Sequence, residues 1–215
     1  MKNFFDNKVK VVLVLSFIYS LFSIFVYKST QDSVHLAMIW NLFLAILPLL
    51  FSFLVIYYVK CKKMILTVLF GLLWLFFFPN APYVVTDLIH LSTTSVFNWQ
   101  TTDITQWLKI VHFSLLIILA CFSGMLSLYN IHNIIIELKN KYYGWFFVLI
   151  TSLLSGLAIY IGRFLRFNSW DIFNPNLYLE IINSINLFSV SFVSLFAFCT
   201  LFIYLIFYYL FKENN

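Results

Sequence analysis

The stretch LAMIWNLFLAILPLLFSFLVIYYV, residues 36–59, contains no charged side chain and ends at the basic cluster Lys60-Cys61-Lys62-Lys63. About 20 predominantly apolar residues in a helix span the hydrocarbon core of a bilayer, which is about 30 Å thick. This stretch is therefore long enough to cross a membrane. A charged cluster placed directly after such a run is typical of the end of a membrane span.

The rest of the chain has the same character. Of its 215 residues, 63% are hydrophobic and 10% are charged, whereas a soluble domain is about 45–50% apolar and about 25% charged. This composition excludes a soluble enzyme, a disordered chain and a disulfide scaffold. We predict an all-α, polytopic transmembrane helix bundle that forms one integral membrane domain over residues 1–215. About six apolar runs are expected to span the membrane: 11–27, 36–59, 64–78, 107–129, 143–161 and 185–211.

The distribution of basic residues predicts how the bundle is oriented. Loops on the cytoplasmic side of a membrane carry an excess of lysine and arginine. With the N-terminus inside, nine of the 13 basic residues face the cytoplasm, which places both termini there. Their scattered positions give no support for nucleic-acid binding. The four basic residues on the predicted outer side are Lys28, Lys109, Arg163 and Arg166.

One polar segment, Phe78–Leu91 (FPNAPYVVTDLIHL), interrupts the third run at the predicted outer boundary. A proline disfavours helical geometry in the residue before it, so Pro79 and Pro82 are expected to break the helix there. Pro82 suits the first turn of a new helix, with Asn80 near its cap. Broken backbone at membrane depth must be covered by protein or by a water-filled cavity, so the segment is predicted to line a pocket.

The short interfacial helix that begins at Pro82 would present a polar face. Residues at i, i+4 and i+7 lie on one side of an α-helix, and Asp and His in that arrangement can exchange protons or bind a metal. The alternative is a simple helix break followed by an interfacial turn, and an Asp-x-x-His pair alone identifies neither a metal nor a cofactor. The residues concerned are Tyr83, Asp87 and His90, with Thr86 beside them.

A second polar segment, residues 162–171 (GRFLRFNSWD), follows the fifth run on the same side. Arg163 and Arg166 are three apart on one predicted helical face, where two guanidinium groups can hold one phosphate or carboxylate. The alternatives are contact with lipid headgroups or ion pairs with acidic residues. Three further residues, Asn168, Trp170 and Asp171, are candidates for supporting the site. The alternative for two of them is structural, with Asn168 as a helix N-cap and Asp171 at N3.

Isolated polar residues also occur within the runs. His112 lies roughly 7 Å beyond Trp107 along the helix, and an ionisable group at that depth usually faces protein or water. The alternative is a buried neutral histidine with one hydrogen bond. Asn41 and Pro48 either open the second span towards the same pocket or mark a kink. Ser152 and Gly156 form a small-x-x-x-small pair that favours close helix packing.

The two long motifs, together with Asn41–Ala45 followed by Pro48, resemble the signatures of domain-of-unknown-function family 1361. That family is a group of bacterial integral membrane proteins, and the resemblance covers about residues 35–210. It implies a multi-pass protein of the bacterial cytoplasmic membrane. It assigns no activity, cofactor or protein partner.

These residues lead to three functional hypotheses. In the first, Arg163 and Arg166 hold an anionic lipid headgroup while Asp87 and His90, with His112 or Asp171, provide acid–base or metal chemistry. In the second, the broken helix belongs to a transporter. In the third, the protein is a non-catalytic scaffold or subunit and the polar residues form an internal network. The predicted partners are the lipid bilayer and, in the first hypothesis, an anionic lipid headgroup; the sequence leaves protein partners open.

Overall fold

The structure, a computed structural model, describes residues 7–91, 102–167, 171 and 174–212. These residues form helices and turns, with no strand among them. Six helical segments are long and apolar enough to cross a membrane, so the predicted all-α bundle of a multi-pass membrane protein is confirmed. In chain order the elements are α1 (Asn7–Thr30), α2 (Val34–Lys60), α3 (Met64–Phe77), α4 (Asn80–Tyr83), a 3-10 helix (Val84–Leu91), α5 (Ile104–Leu138), α6 (Lys141–Tyr160), a π-helical turn (Ile161–Leu165), α7 (Pro175–Asn183) and α8 (Leu187–Phe211).

We name the two ends of the bundle by the turns that close them. The Asp32 end holds the α1–α2 turn (residues 31–33) and the start of α5. The Lys62 end holds the α2–α3 turn (residues 61–63) and the α5–α6 connection. The distribution of basic residues predicts that the Asp32 end faces outwards, and this orientation stays a prediction.

Helix α5 forms the centre of the bundle. Its 35 residues correspond to about 52 Å of helix, and it contacts α1, α2, α4, α6 and α8. It packs most extensively with α2, and the pairings α6–α8 and α2–α3 are nearly as extensive. Gly156 makes the α6–α8 pairing close, because a Cβ atom there would lie 3.0 Å from the backbone nitrogen of Ala197. The predicted role of the Ser152–Gly156 pair in packing is thereby confirmed for its glycine.

The third span differs from the prediction. Phe78 keeps right-handed helical angles (φ −54°, ψ −41°), so the expectation that Pro79 forces it out of helical geometry is wrong. The chain continues through α4 and the 3-10 helix, and the span therefore runs over Met64–Leu91 instead of 64–78. Pro79 interrupts the α-helical pattern of hydrogen bonds, but the chain stays helical on both sides of it.

Hydrogen bonds between residues three apart, instead of the four of an α-helix, explain this continuity. Proline has no N–H group to donate, but the N–H of Ala81 donates to the Phe78 carbonyl at 3.1 Å. The Asn80 side chain supplies a further donor, since its Nδ2 donates a hydrogen bond to the Phe77 carbonyl at 2.9 Å. The carbonyls of Phe77 and Phe78 thus receive donors from within the segment, which a non-aqueous environment favours.

The remaining spans confirm the predicted order with shifted bounds. Helix α5 is longer than the predicted 107–129 at both ends, and α6 with its π-helical turn extends past 161. At the start of α5, the Asp103 carboxylate accepts hydrogen bonds from the backbone N–H of Thr105 at 2.9 Å and from its hydroxyl at 2.8 Å. These bonds hold the pKa of Asp103 below its ordinary value. Helix α7 is a separate short helix before the last span.

Helix α4 is seated directly on α5. A Cβ atom on Gly124 of α5 would collide with the Cβ atom of Ala81, and it would lie 4.0 Å from the ring of Phe78. Both Ala81 and Phe78 are fully buried. Only a glycine at position 124 therefore allows the proline-containing segment to approach the central helix so closely.

We expect Gly124→Ala to lower the free energy of unfolding by about 1–3 kcal/mol, because overpacked sites force neighbouring backbone to move. Gly71→Ala is the matched control. A Cβ atom at Gly71 meets nothing within 4 Å, so this change is expected to be neutral or to stabilise α3 by about 0.5–1 kcal/mol. Thermal unfolding of the purified variants in detergent measures both effects, and equal midpoints for the two would contradict the close α4–α5 contact.

The predicted orientation can be tested with the native cysteine at the Lys62 end. Cys61 is exposed, whereas Cys121 is buried and Cys199 is half-buried within a span. A membrane-impermeant maleimide should label Cys61 in inverted membrane vesicles and leave it unlabelled in intact cells. A Cys61→Ser, Ser33→Cys variant should show the opposite pattern, because residue 33 lies in the turn at the Asp32 end. Labelling of Cys61 in intact cells would reverse the assigned orientation.

Candidate functional site

A lateral groove separates α2 and α3 from α6 near the Asp32 end. Towards the Lys62 end the stacked rings of Trp74 and Phe147, with centroids 5.7 Å apart, join α3 to α6. On the Asp32 side of this contact the groove has a volume of about 480 Å³, which is typical of small-molecule sites. Its walls are mainly apolar. The polar side chains that line it are Asn41, Asn80 and Tyr83.

Asn41 connects the groove to a buried carboxylate. Its Nδ2 donates a hydrogen bond of 2.8 Å to Oδ2 of Asp87, which is 2% exposed. The predicted alternative in which Asn41 faces the same pocket as the polar segment is therefore the one that the geometry supports. A ligand in the groove would contact Asn41, which is in turn hydrogen-bonded to Asp87.

The 3-10 helix changes which residues share a face. Three residues complete one turn of such a helix, so Asp87 and His90 lie on the same side. Tyr83 belongs to the preceding α4 and is out of register with them, so the predicted single face of Tyr83, Asp87 and His90 is wrong. The Thr86 hydroxyl donates to the Tyr83 carbonyl at 2.8 Å. Thr86 thus stabilises the α4-to-3-10 transition.

The two arginines occupy different positions from those predicted. Arg163 lies in the π-helical turn, is half-buried, and is within electrostatic range of Asp87, as is His90. Arg166 is exposed and follows the end of the turn in a left-handed conformation (φ 59°, ψ 27°). The shared helical face is therefore wrong, because the helix ends at Leu165. Of the two arginines, Arg163 is the one whose charge acts on Asp87.

The end of the second motif is only partly described. Asp171 is half-buried, and its backbone carbonyl accepts a hydrogen bond of 2.8 Å from the Asn174 N–H. The predicted cap at Asn168 and the supporting role of Trp170 concern positions outside the described residues. Both remain predictions.

His112 belongs to a buried histidine cluster that the sequence analysis did not anticipate. This cluster comprises Tyr19, Ser23, His35 and His112. The Nε2 atom of His112 lies 2.9 Å from the Tyr19 hydroxyl oxygen and 2.8 Å from that of Ser23, and its Nδ1 lies 3.1 Å from Nδ1 of His35. The expectation of a single hydrogen bond is wrong. The rule that drew attention to His112, an ionisable group inside a span, applies equally to His35.

Phe113 separates the histidine cluster from His90. Its ring centroid lies 6.3 Å from that of His90 and 5.8 Å from that of His35. The cluster and the Asp87 carboxylate therefore occupy neighbouring parts of the Asp32 end. In the part of the chain that the structure describes, no three His, Cys, Asp or Glu side chains are grouped to hold a metal ion.

The sequence matches a family model over residues 40–205, described as "Protein of unknown function (DUF1361)". The chain belongs to this family. The matched range contains Asn41 and both polar motifs, and it confirms the resemblance drawn from them. Comparisons with curated proteins and with solved structures return no match. Since membership in this family assigns no activity, the functional argument depends on the geometry of the site.

The Asn41–Asp87 hydrogen bond predicts a difference between two substitutions. Asn41→Leu leaves Asp87 buried without this donor, which should lower the free energy of unfolding by about 1–3 kcal/mol. Asp87→Asn should cost less, because an amide oxygen can still accept the bond from Asn41. Thermal unfolding in detergent provides the measurement. A smaller loss for Asn41→Leu than for Asp87→Asn would show that the hydrogen bond contributes little to stability.

Proposed function

We propose that this membrane protein binds an anionic lipid at the Asp32 end, with an acyl chain in the lateral groove and the headgroup at its polar end. The observation that supports this most directly is the groove itself, whose described walls are mainly apolar and carry the polar side chains of Asn41, Asn80 and Tyr83. Such a distribution matches an amphipathic molecule, since ligand sites combine apolar surface with a few placed polar groups.

The exposed walls favour a ligand that comes from the membrane. Trp40 and Leu154 line the groove and are 56% and 42% exposed, so the groove is accessible from the side that lipid would occupy. A water-soluble ligand would gain little from this lateral opening. A lipid could enter without leaving the bilayer, and its apolar chain would lose no favourable environment on entry.

Charge supports an anionic headgroup. Arg163 is half-buried and directly follows Gly162, which lines the groove, and guanidinium groups bind phosphate through paired N–H donors. The phosphate would lie near Asp87 and His90, which occur on one face of the 3-10 helix. Asp87 is buried and is connected to the groove through Asn41, so the geometry supports recognition of the headgroup more directly than acid–base chemistry on it.

The two alternatives have less support. Transporter sites usually lie near the bilayer midplane, whereas Asn41, Asp87 and Arg163 lie near one end of the bundle. The Asn41–Asp87 bond favours an internal network, as a scaffold would have. A network alone, however, leaves the open groove without a role.

Filling the groove tests the proposal. Ala158 lines the groove on α6, and Ala158→Phe should remove bound phospholipid, detected by native mass spectrometry after reconstitution in mixed anionic and zwitterionic nanodiscs. Ala37→Phe makes the same change at an exposed position of α2 and should leave lipid bound. Arg163→Gln should retain binding and reduce the preference for anionic lipid by roughly tenfold or less, as one lost charge-assisted bond implies. Equal lipid retention by both Phe variants would exclude the groove as the binding site.

A further inference from the structure

Helix α7 has a broad apolar face and a narrow polar one. It begins after the cap Asn174, whose side chain accepts a hydrogen bond of 3.1 Å from the Asn176 N–H. At 100° per residue, the apolar side chains cover about 200° of the helix circumference, and the polar ones fill a smaller arc opposite. The apolar face carries Leu177, Tyr178, Leu179, Ile181 and Ile182, and the polar face carries Asn176, Glu180 and Asn183.

One edge of the apolar face packs on the protein at the Asp32 end. Leu177 is 7% exposed and lines the lateral groove, and α7 contacts the π-helical turn that follows α6. Just after α7, the Ser184 carbonyl accepts a hydrogen bond of 3.4 Å from the Tyr160 hydroxyl. The helix is therefore held against the end of α6 near its start and beyond its last residue.

The chain that follows the π-helical turn covers the same end of the groove. Phe167 lines the groove, and a Cβ atom on Gly162 would lie 3.8 Å from the Phe167 carbonyl oxygen. The left-handed conformation of Arg166 thus turns the chain back onto the end of α6. Phe167 and Leu177 together form a roof at the Asp32 end of the groove, and neither belongs to a membrane span.

The other edge of the apolar face is exposed. Leu179 and Ile182 are 60% and 64% exposed, and this surface continues into the last span, where Leu187 and Phe188 are 84% and 56% exposed. Residues 184–186 separate α7 from that span and can extend over at most about 11 Å. Helix α7 therefore lies where α8 enters the bilayer.

We propose that α7 lies in the plane of the membrane boundary, with Leu179 and Ile182 in the lipid, and that Leu177 closes the headgroup end of the groove. An amphipathic helix binds a membrane surface with its apolar face buried about 5–10 Å into the boundary. The bilayer is the occupant that fits, because the exposed face of α7 is continuous with that of a span. The position of α7 is independent of the function proposed above, whereas the role of Leu177 rests on it.

This arrangement determines the route of exchange. The groove is open on the side of Trp40 and Leu154, which are exposed where lipid would surround the spans. The roof covers the end that would otherwise face water. A bound lipid would therefore exchange with the bilayer through the lateral opening, and Leu177 would set how readily its headgroup end is released.

Spin labels on opposite faces of α7 test its position. A Cys61→Ser background removes the exposed native thiol, and Ile182→Cys or Glu180→Cys then places a label at an exposed position. In nanodiscs of phosphatidylglycerol and phosphatidylcholine, the ratio of collisions with oxygen to collisions with a water-soluble nickel chelate should be roughly threefold or more higher at 182 than at 180. Equal ratios would place both faces in water. Low collision rates with both reagents at 182 would indicate a protein contact, and either result would overturn membrane docking.

Transfer of an acyl-labelled fluorescent phosphatidylglycerol to excess vesicles tests the roof. Leu177→Ala should speed release by roughly tenfold, because it removes three carbons that would pack against the lipid. Leu179→Ala makes the same change at an exposed position of α7 and should leave the rate unchanged. Leu177→Met keeps the side-chain volume and should release at the original rate. Equal rates for the two alanine variants would exclude Leu177 as part of the roof.

The two experiments separate this proposal from the function on which part of it rests. If Ala158→Phe and Ala37→Phe retain lipid equally while the spin-label ratios still differ, the groove is not a lipid site and α7 remains docked in the membrane. If the Phe variants differ as expected and the ratios are equal, lipid binds in the groove and the membrane docking of α7 is wrong.

Discussion

The close approach of α4 to α5 at Gly124 is the contact on which the polar end of the bundle depends. A chain that changes from α-helical to 3-10 geometry inside a membrane must cover its altered backbone with protein. The seat of Ala81 on Gly124 does this, and it places Tyr83 and Asp87 between the two halves of the bundle. The lateral groove, the Asn41–Asp87 bond and the position of the 3-10 helix all follow from this one contact.

The fold was largely predictable from apolar runs and charge clusters, because a bilayer imposes a simple length requirement on each span. Ends of helices were less predictable. The α5 helix continues past Tyr129, where the predicted span ends, through Asn130, His132 and Asn133. Buried partners explain the difference: Asn130 donates to Ser52 at 3.0 Å, and His132 bonds with Tyr204. Contacts between distant parts of the chain thus overrode local composition.

The candidate site was predictable in its residues and not in its geometry. Asp87, His90 and Arg163 were identified because polar side chains are rare in this chain. The predicted common face of Tyr83, Asp87 and His90 assumed an α-helix after Pro82. The 3-10 helix that forms there keeps Asp87 and His90 on one side and places Tyr83 out of register with them. The pairing of His35 with His112 joins residues 77 positions apart, and no spacing rule detects a contact of that range.

The Trp74–Phe147 contact has a consequence for ligand selectivity. These rings join α3 to α6 on the Lys62 side of the groove residues Leu75 and Leu154, and the Trp74 indole donates a hydrogen bond of 3.1 Å to Ser127 of α5. A chain inserted from the polar end would be stopped there, so the contact would act as a ruler of acyl length. Short or branched tails would fit within the groove, whereas the end of a long tail would have to bend out between α3 and α6 into the surrounding lipid.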